Sequence, residues 1–186
     1  MFYNINGDFM LNNRNFEYNK KIPQGDGYIN GQAKCSVSDM KYGLFTMAYN
    51  GCGVIALYNL MFCKGKKMSA ADIAREIYPY SSILFGIFGN RMLRICRFFD
   101  SHSLKYKNVG KTDDAINSFP KYDCCILGLW NSDRNPFKGK HFVFVRNVGG
   151  EAVVYNYSSY LTKPKTFDSL EAYLKGRRLT VAYFFE

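Results

Sequence analysis

Residues 49–57 read YNGCGVIAL, so that a cysteine stands between two glycines where an apolar, helix-like run begins. Gly51 and Gly53 permit a tight turn and the close approach of another part of the chain. The unpaired N–H groups and the dipole of a helix N-terminus favour a thiolate over a thiol. Cys52 is therefore placed as a nucleophilic thiol would be, although a small apolar residue packed at a helix start fits the same run.

Far downstream, two β-rich runs at residues 140–148 and 151–157 flank a pair of glycines, Gly149 and Gly150. Glycine adopts the positive φ angles that two-residue hairpin turns require. The sequence therefore predicts a β-hairpin with its turn at the two glycines.

The register of this hairpin brings a histidine and an asparagine together. If the two glycines form the turn, Val148 pairs with Glu151 and Val143 pairs with Asn156. Asn156 then lies diagonal to His141 on the same sheet face, because side chains alternate along a strand. Its side-chain amide oxygen could accept a hydrogen bond from the imidazole and hold its tautomer. A three-residue loop would instead separate the two side chains.

A cysteine at a helix start, then a histidine, then an asparagine on the neighbouring strand is the order of nucleophile, base and orienting group in papain-like proteases. Residues 42–186 resemble the papain-like peptidases of the bacteriocin-leader-processing (double-glycine) type and their stand-alone relatives. The matching motifs are NGCGVIAL at 50–57, HFVFV at 141–145 and VVYN at 153–156. The resemblance implies Cys52 as nucleophile, His141 as general base and Asn156 as third member. Relatives usually have aspartate and proline where this chain has Asn156-Tyr157, whereas papain itself uses asparagine.

The oxyanion hole is where the chain departs most from these relatives. They carry a glutamine at the position of Thr46, and its amide joins the backbone N–H of the cysteine. The nearest upstream glutamine here is Gln32, far from Cys52 in the sequence. The Asn50 amide and the Tyr49 hydroxyl are candidate substitutes, and loss of one oxyanion donor costs ~10²–10³ in turnover. Asn50 could equally hydrogen-bond its own turn, as asparagine before glycine often does.

The pattern along the chain is helix-rich first and strand-rich later. Helices are predicted at 52–64, from Ser69 to Pro79, from a cap at Asn90 through Leu93 and Phe99, at 112–119 and at 168–175. Strands are predicted at 104–109, at 123–130, in the hairpin and at 179–185. This order predicts an α+β, papain-like domain at 42–186, whose N-terminal helical half, with the nucleophile helix, packs on a C-terminal antiparallel sheet. Residues 1–41 show little periodicity and are interpreted as an N-terminal arm packed on that domain, with short strands at most.

The formal net charge is +10, from 25 lysines and arginines against 15 aspartates and glutamates. Because the basic residues are spread along the chain without a nucleic-acid-binding motif, a solvated basic surface is favoured over a nucleic-acid groove. An anionic cell-wall polymer or an acidic peptide would suit the same charge. The loop at 131–139, beside His141, is expected to contact substrate.

No apolar run is long enough to span a bilayer, and the N-terminus lacks the basic and apolar regions of a signal peptide. A cytoplasmic location is the default expectation unless a leader has been removed. The six cysteines form no CxxC pair, which argues against structural zinc, and a chain of this size does not need disulfides. Cys35 is interpreted as a free surface thiol and His102 as a structural residue at a helix end. Core positions are predicted for Cys63, Cys96, Cys124 and Cys125.

The leading hypothesis is a cysteine peptidase with peptide or protein substrates, acting through Cys52, His141 and Asn156 without metal or organic cofactor. A cell-wall peptidoglycan amidase or endopeptidase would use the same chemistry. The alternative from another class is a catalytically silent relative that binds a peptide in the cleft, which the missing glutamine favours.

Overall fold

The computed structural model describes residues 5–81, 94–131 and 139–186. Its helices are α1 (Ile5–Asn19), α2 (Met47–Asn50), α3 (Cys52–Cys63), α4 (Ala70–Ser81), α5 (Cys96–Ser101), α6 (Thr112–Ser118) and α7 (Leu170–Leu174), with a 3-10 turn at Phe119–Lys121. Its strands are β1 (Lys41–Tyr42), β2 (Phe45–Thr46), β3 (Tyr106–Val109), β4 (Cys124–Trp130), β5 (Lys140–Val148), β6 (Glu151–Tyr155), β7 (Lys165–Phe167) and β8 (Leu179–Phe185). No helix in these ranges is long and apolar enough to cross a membrane.

Six strands form one sheet in the order β3-β8-β4-β5-β6-β7, and every pair in it is antiparallel. Helix α3 packs against β4 and β5. The prediction of helices packed on a C-terminal antiparallel sheet is confirmed. The predicted helix at 52–64 and the predicted strand at 179–185 also agree with the structure.

Helix α3 is apolar on nearly all sides, and a helix of this kind is stable only where other elements cover it. Its residues from Gly53 to Met61 are all buried. They form one core with α4, α5 and one face of the sheet, while α6 and α7 cover the opposite face. Burial of this helix fixes its N-terminal residue, Cys52, beside the sheet.

The hairpin register is confirmed along the described pairs, from Val148 opposite Glu151 to Phe144 opposite Tyr155. Gly149 and Gly150 have φ angles of 63° and 96°, as a two-residue turn requires.

The expected pairing of Val143 with Asn156 does not follow, because β6 ends at Tyr155. Asn156 has a φ of 56°, in the left-handed region, so the chain leaves the strand at this residue. This change of direction decides how Asn156 meets His141.

The N-terminal arm contains a helix, α1, that the sequence did not predict. Asparagine-rich segments have low helix propensity, so packing must supply the stability. Asn19 provides part of it, since its side chain donates to the Lys41 carbonyl at 2.9 Å and accepts from the Lys41 N–H at 2.6 Å. The Arg75 guanidinium of α4 lies 4.4 Å from the centre of the Phe16 ring.

Helix α4 begins as predicted, with the Ser69 hydroxyl accepting from the Asp72 N–H at 3.1 Å. The expected end at Pro79 is wrong, because the helix continues to Ser81. Proline cannot donate to the carbonyl four residues earlier, which belongs to Arg75. The Asn12 side chain donates to that carbonyl at 2.9 Å and so replaces the missing hydrogen bond.

His102 lies at the C-terminal end of α5, and its Nε2 is 2.9 Å from a carboxylate oxygen of Glu76. This contact between two helices agrees with the structural interpretation of His102. The predicted helix cap at Asn90, the stripe residue Leu93 and residues 132–138 of the predicted substrate loop lie outside the described residues.

Asn59, fully buried in the middle of α3, connects this helix to the arm. Its side-chain oxygen accepts from the Ile29 N–H at 2.8 Å, and its amide donates to the Ile29 carbonyl at 2.9 Å. One side chain thus satisfies both backbone groups of a buried residue.

Replacing Asn59 by alanine should lower the free energy of unfolding by ~2–4 kcal/mol, because both Ile29 backbone groups would be left buried without these partners. Urea denaturation measures the change. The matched control is Asn108→Ala on the more exposed strand β3, which should change stability by no more than ~0.5 kcal/mol. Similar losses in the two variants would contradict this role of Asn59.

Candidate active site

Cys52 is the first residue of α3 and is half-buried. Helix α2 leads into it through Gly51, where a Cβ atom would lie 2.7 Å from the Met47 carbonyl oxygen. Only glycine therefore permits this tight passage from one helix to the next. The passage leaves the Cys52 thiol at a helix N-terminus, where the partial positive charge favours a thiolate.

His141, near the start of β5, hydrogen-bonds the Cys52 sulfur. Burial raises the pKa of Cys52, but the hydrogen bond and charge of His141, with the N–H groups of Phe142 and Gly53, bring it below its ordinary value. Burial lowers the pKa of His141, whereas the hydrogen bond and charge of Cys52 raise it above its ordinary value. Opposite displacements of these two pKa values favour a thiolate–imidazolium pair.

Asn156 is fully buried and reaches His141 through its backbone. The His141 Nε2 lies 2.7 Å from the Asn156 backbone carbonyl oxygen. The expectation that the side-chain oxygen makes this contact is therefore wrong, because the left-handed backbone of Asn156 turns its carbonyl toward the ring. A carbonyl can only accept, so Nε2 carries a hydrogen and Nδ1 is the nitrogen that faces Cys52.

The side chain of Asn156 faces the N-terminal arm. Its Oδ1 accepts from the Gln32 backbone N–H at 3.1 Å, and its Nδ2 donates to the Gln32 side-chain oxygen at 3.5 Å. Gln32 is buried, and its own amide donates to the Ala48 carbonyl in α2 at 3.2 Å. Gln32, although far from Cys52 in the sequence, thus lies beside the candidate site. No local periodicity could have indicated this, because the two partners are 124 residues apart.

The two predicted oxyanion donors have other contacts. The Asn50 amide donates to the Tyr42 backbone carbonyl at 3.1 Å, which favours a structural role for this side chain. The Tyr49 side chain is 67% exposed, and its ring stacks on Phe45 with 4.8 Å between the ring centres. A role in the oxyanion hole remains a prediction for both residues.

All six cysteines are free thiols in the structure, and Cys124 and Cys125 are buried as predicted. Cys35 is half-buried instead of lying on the surface, and burial raises its pKa. A hydrogen bond with Cys124 lowers the pKa of Cys63, at the opposite end of α3 from Cys52. Cys63 and Cys96 are half-buried and pack against the core, so the predicted core positions hold only in part for these two.

Cationic side chains near the site lie on aromatic rings. The Lys140 ammonium group is 4.6 Å from the centre of the Trp130 ring, and Arg177, whose charge acts on His141, donates to the Tyr157 hydroxyl at 2.7 Å. In the described ranges, no three histidine, cysteine or acidic side chains are grouped so that they could hold a metal ion.

No family model matches this chain. Among solved structures, it is similar to the peptidase domain of Streptococcus ComA, a bi-functional ABC transporter involved in a quorum sensing pathway. The TM-score is 0.54 and the identity 14%, over 73% of this chain and 90% of that domain. This likeness confirms the α+β, papain-like fold class.

Among curated proteins, dynein heavy chain-like protein 2 of Plasmodium falciparum (isolate 3D7) is 24% identical over 100 residues. The match covers 53% of this chain and 2% of that protein, so the chain spans only a small part of that relative's length.

The Cys52–His141 pair predicts that iodoacetamide alkylates Cys52 at neutral pH faster than Cys35, because only thiolates react. His141→Ala should raise the pKa of Cys52 and slow its alkylation at least ~10-fold. Peptide mapping by mass spectrometry measures each cysteine separately, and Cys63 serves as an internal control that should react equally in both proteins. Equal rates for Cys52 with and without His141 would contradict the pairing.

Proposed function

We propose that this protein is a cysteine peptidase in which Cys52 is the nucleophile and His141 the general acid and base. The observation that carries the proposal is the hydrogen-bonded Cys52–His141 pair, with both pKa values displaced toward the ionised forms. The papain-like fold supports it, since that fold is shared with a peptidase domain.

The reaction follows from these groups. The Cys52 thiolate attacks a peptide carbonyl, and the backbone N–H of Cys52 at the helix start stabilises the developing oxyanion. The imidazolium then protonates the leaving amine, which breaks the C–N bond and leaves a thioester on Cys52. Water attacks this thioester while the neutral imidazole accepts its proton, and the thiolate is regenerated.

Asn156 supplies orientation in this mechanism through its backbone carbonyl. By accepting from the His141 Nε2–H, the carbonyl keeps Nδ1 directed at the sulfur in both protonation states of the ring. The third member of the proposed triad is thus a peptide group whose direction depends on the conformation of Asn156.

Peptides or proteins are the proposed substrates, and the net charge of +10 favours acidic ones. A peptidoglycan stem or another anionic cell-wall polymer fits the same charge. A catalytically silent, peptide-binding protein is the second candidate, because the Asn50 amide is directed to the Tyr42 carbonyl.

Incubation with a mixed peptide library and, separately, with purified peptidoglycan should separate these candidates. A peptidase releases new peptide termini, detected by mass spectrometry, and Cys52→Ala abolishes them because the proposed thioester forms on Cys52. Cleavage of peptidoglycan alone would indicate the amidase or endopeptidase. No cleavage, with peptides retained equally by wild type and Cys52→Ala, would indicate the silent relative.

The role of Asn156 can be tested with three substitutions, each of which keeps the backbone carbonyl. Asn156→Asp retains an acceptor for the Gln32 N–H and should keep most of the turnover. Asn156→Ala loses this anchor and disfavours the positive φ, so kcat should fall ~10- to 100-fold. Asn156→Gly should lie between them, because glycine adopts a φ of 56° freely. Full activity in Asn156→Ala would argue against any orienting role.

A further inference from the structure

The conformation of Asn156 depends on contacts from outside its own strand. Once β6 ends, the Asn156 N–H has no strand partner, and a buried donor without a partner would disfavour the turn. The Asn30 side-chain oxygen accepts from this N–H at 3.0 Å. A residue of the N-terminal arm therefore satisfies the peptide group that precedes the left-handed turn.

The arm also holds the Asn156 side chain, as the contact of its Oδ1 with the Gln32 N–H shows. Asn30 and Gln32 thus bind Asn156 at its backbone nitrogen and at its side chain. The carbonyl is left to point at His141. Because the N–H and the side chain of Asn156 are both held, the direction of its carbonyl group is determined.

The arm segment at residues 29–33 is held by helix α3 and by the segment that follows β6. Ile29 is held by Asn59 of the nucleophile helix, through both backbone groups. Gly31 has a φ of 67°, and a Cβ there would lie 2.8 Å from the Leu161 carbonyl oxygen, so only glycine permits this contact with the segment after β6. The Ala33 N–H donates to the Ser159 carbonyl at 2.7 Å.

We propose that Asn30 and Gln32 are positioning residues of the active site, through which the N-terminal arm sets the Asn156 carbonyl and thereby the His141 ring. This inference rests on the proposed function and extends it. The arm then acts on the reacting groups indirectly, through its contacts with Asn156.

The test is the pH dependence of Cys52 alkylation in the full chain, which needs no substrate. Asn30→Leu keeps the side-chain size but removes the acceptor. It should move the onset of alkylation to higher pH and lower the rate at neutral pH ~10-fold, because a misdirected imidazole stabilises the thiolate less well. Asn30→Asp retains an acceptor oxygen and should return the onset to the wild-type pH or below.

Asn15→Leu is the matched control, since Asn15 is a buried asparagine of the same arm that donates to the Gly43 carbonyl at 2.8 Å. It should lower the melting temperature as Asn30→Leu does and leave Cys52 alkylation at the wild-type rate. Should Asn30→Leu not fold, Gln32→Ala decides, because it removes the side-chain contacts with the Asn156 amide and the Ala48 carbonyl. The shift should be smaller and in the same direction, since the Gln32 N–H remains.

The outcomes are distinct. A wild-type pH profile in folded Asn30→Leu and Gln32→Ala would overturn the positioning role and leave the proposed function standing. Equal losses of Cys52 alkylation in Asn30→Leu and Asn15→Leu would also overturn the positioning role, because a general loss of stability would then explain both. If wild-type Cys52 itself titrates as an ordinary thiol, the proposed function and the positioning role both fall.

Discussion

A single hydrogen bond, 2.7 Å from His141 Nε2 to the backbone carbonyl oxygen of Asn156, determines which ring nitrogen faces Cys52. The acceptor is a peptide group, so its direction is set by backbone dihedral angles and not by a rotatable side chain. Asn156 meets this requirement by adopting a φ of 56°, which asparagine tolerates better than most residues. Its short polar side chain can also be fastened to neighbouring backbone, so one residue type serves both needs.

Burial and charge pairing oppose each other at Cys52 and His141. Removal from water disfavours the charged form of each group, and it is the largest single influence on each pKa. Two opposite charges in contact gain on the order of 4 kcal/mol at an effective dielectric constant of ~20, which opposes the cost of burying them. The ionised state therefore belongs to the pair, and neither residue would keep its displaced pKa without the other.

Those features of the fold that depend on short-range pattern were predictable. The apolar run after Cys52 specified α3, and Gly149-Gly150 specified the hairpin, because period and turn chemistry are local properties. Helix α1 was missed because its stability comes from packing on α4, which no periodicity reports. At the proposed site, the sequence placed Cys52 at a helix start and His141 on a strand, as the structure does. For Asn156, the sequence predicted a side-chain contact with His141, whereas the backbone carbonyl makes it. The prediction assumed that side chains alternate along β6 through Asn156, and the left-handed conformation of this residue ends that alternation.

Hydrogen bonds connect helix α3, which carries Cys52, with strand β5, which carries His141, in a closed circuit that starts and ends on α3. From Asn59 the circuit runs to Ile29 and along the arm to Asn156, then to His141, and returns to the helix at Cys52. The hydrophobic effect itself has no direction, so it constrains the orientation of α3 less sharply than directional contacts do. Hydrogen bonds weaken steeply with angle and distance, so a circuit of buried ones resists displacement of α3 on the sheet. The buried asparagines therefore add a directional constraint to that of the apolar core on the position of the helix N-terminus relative to the imidazole.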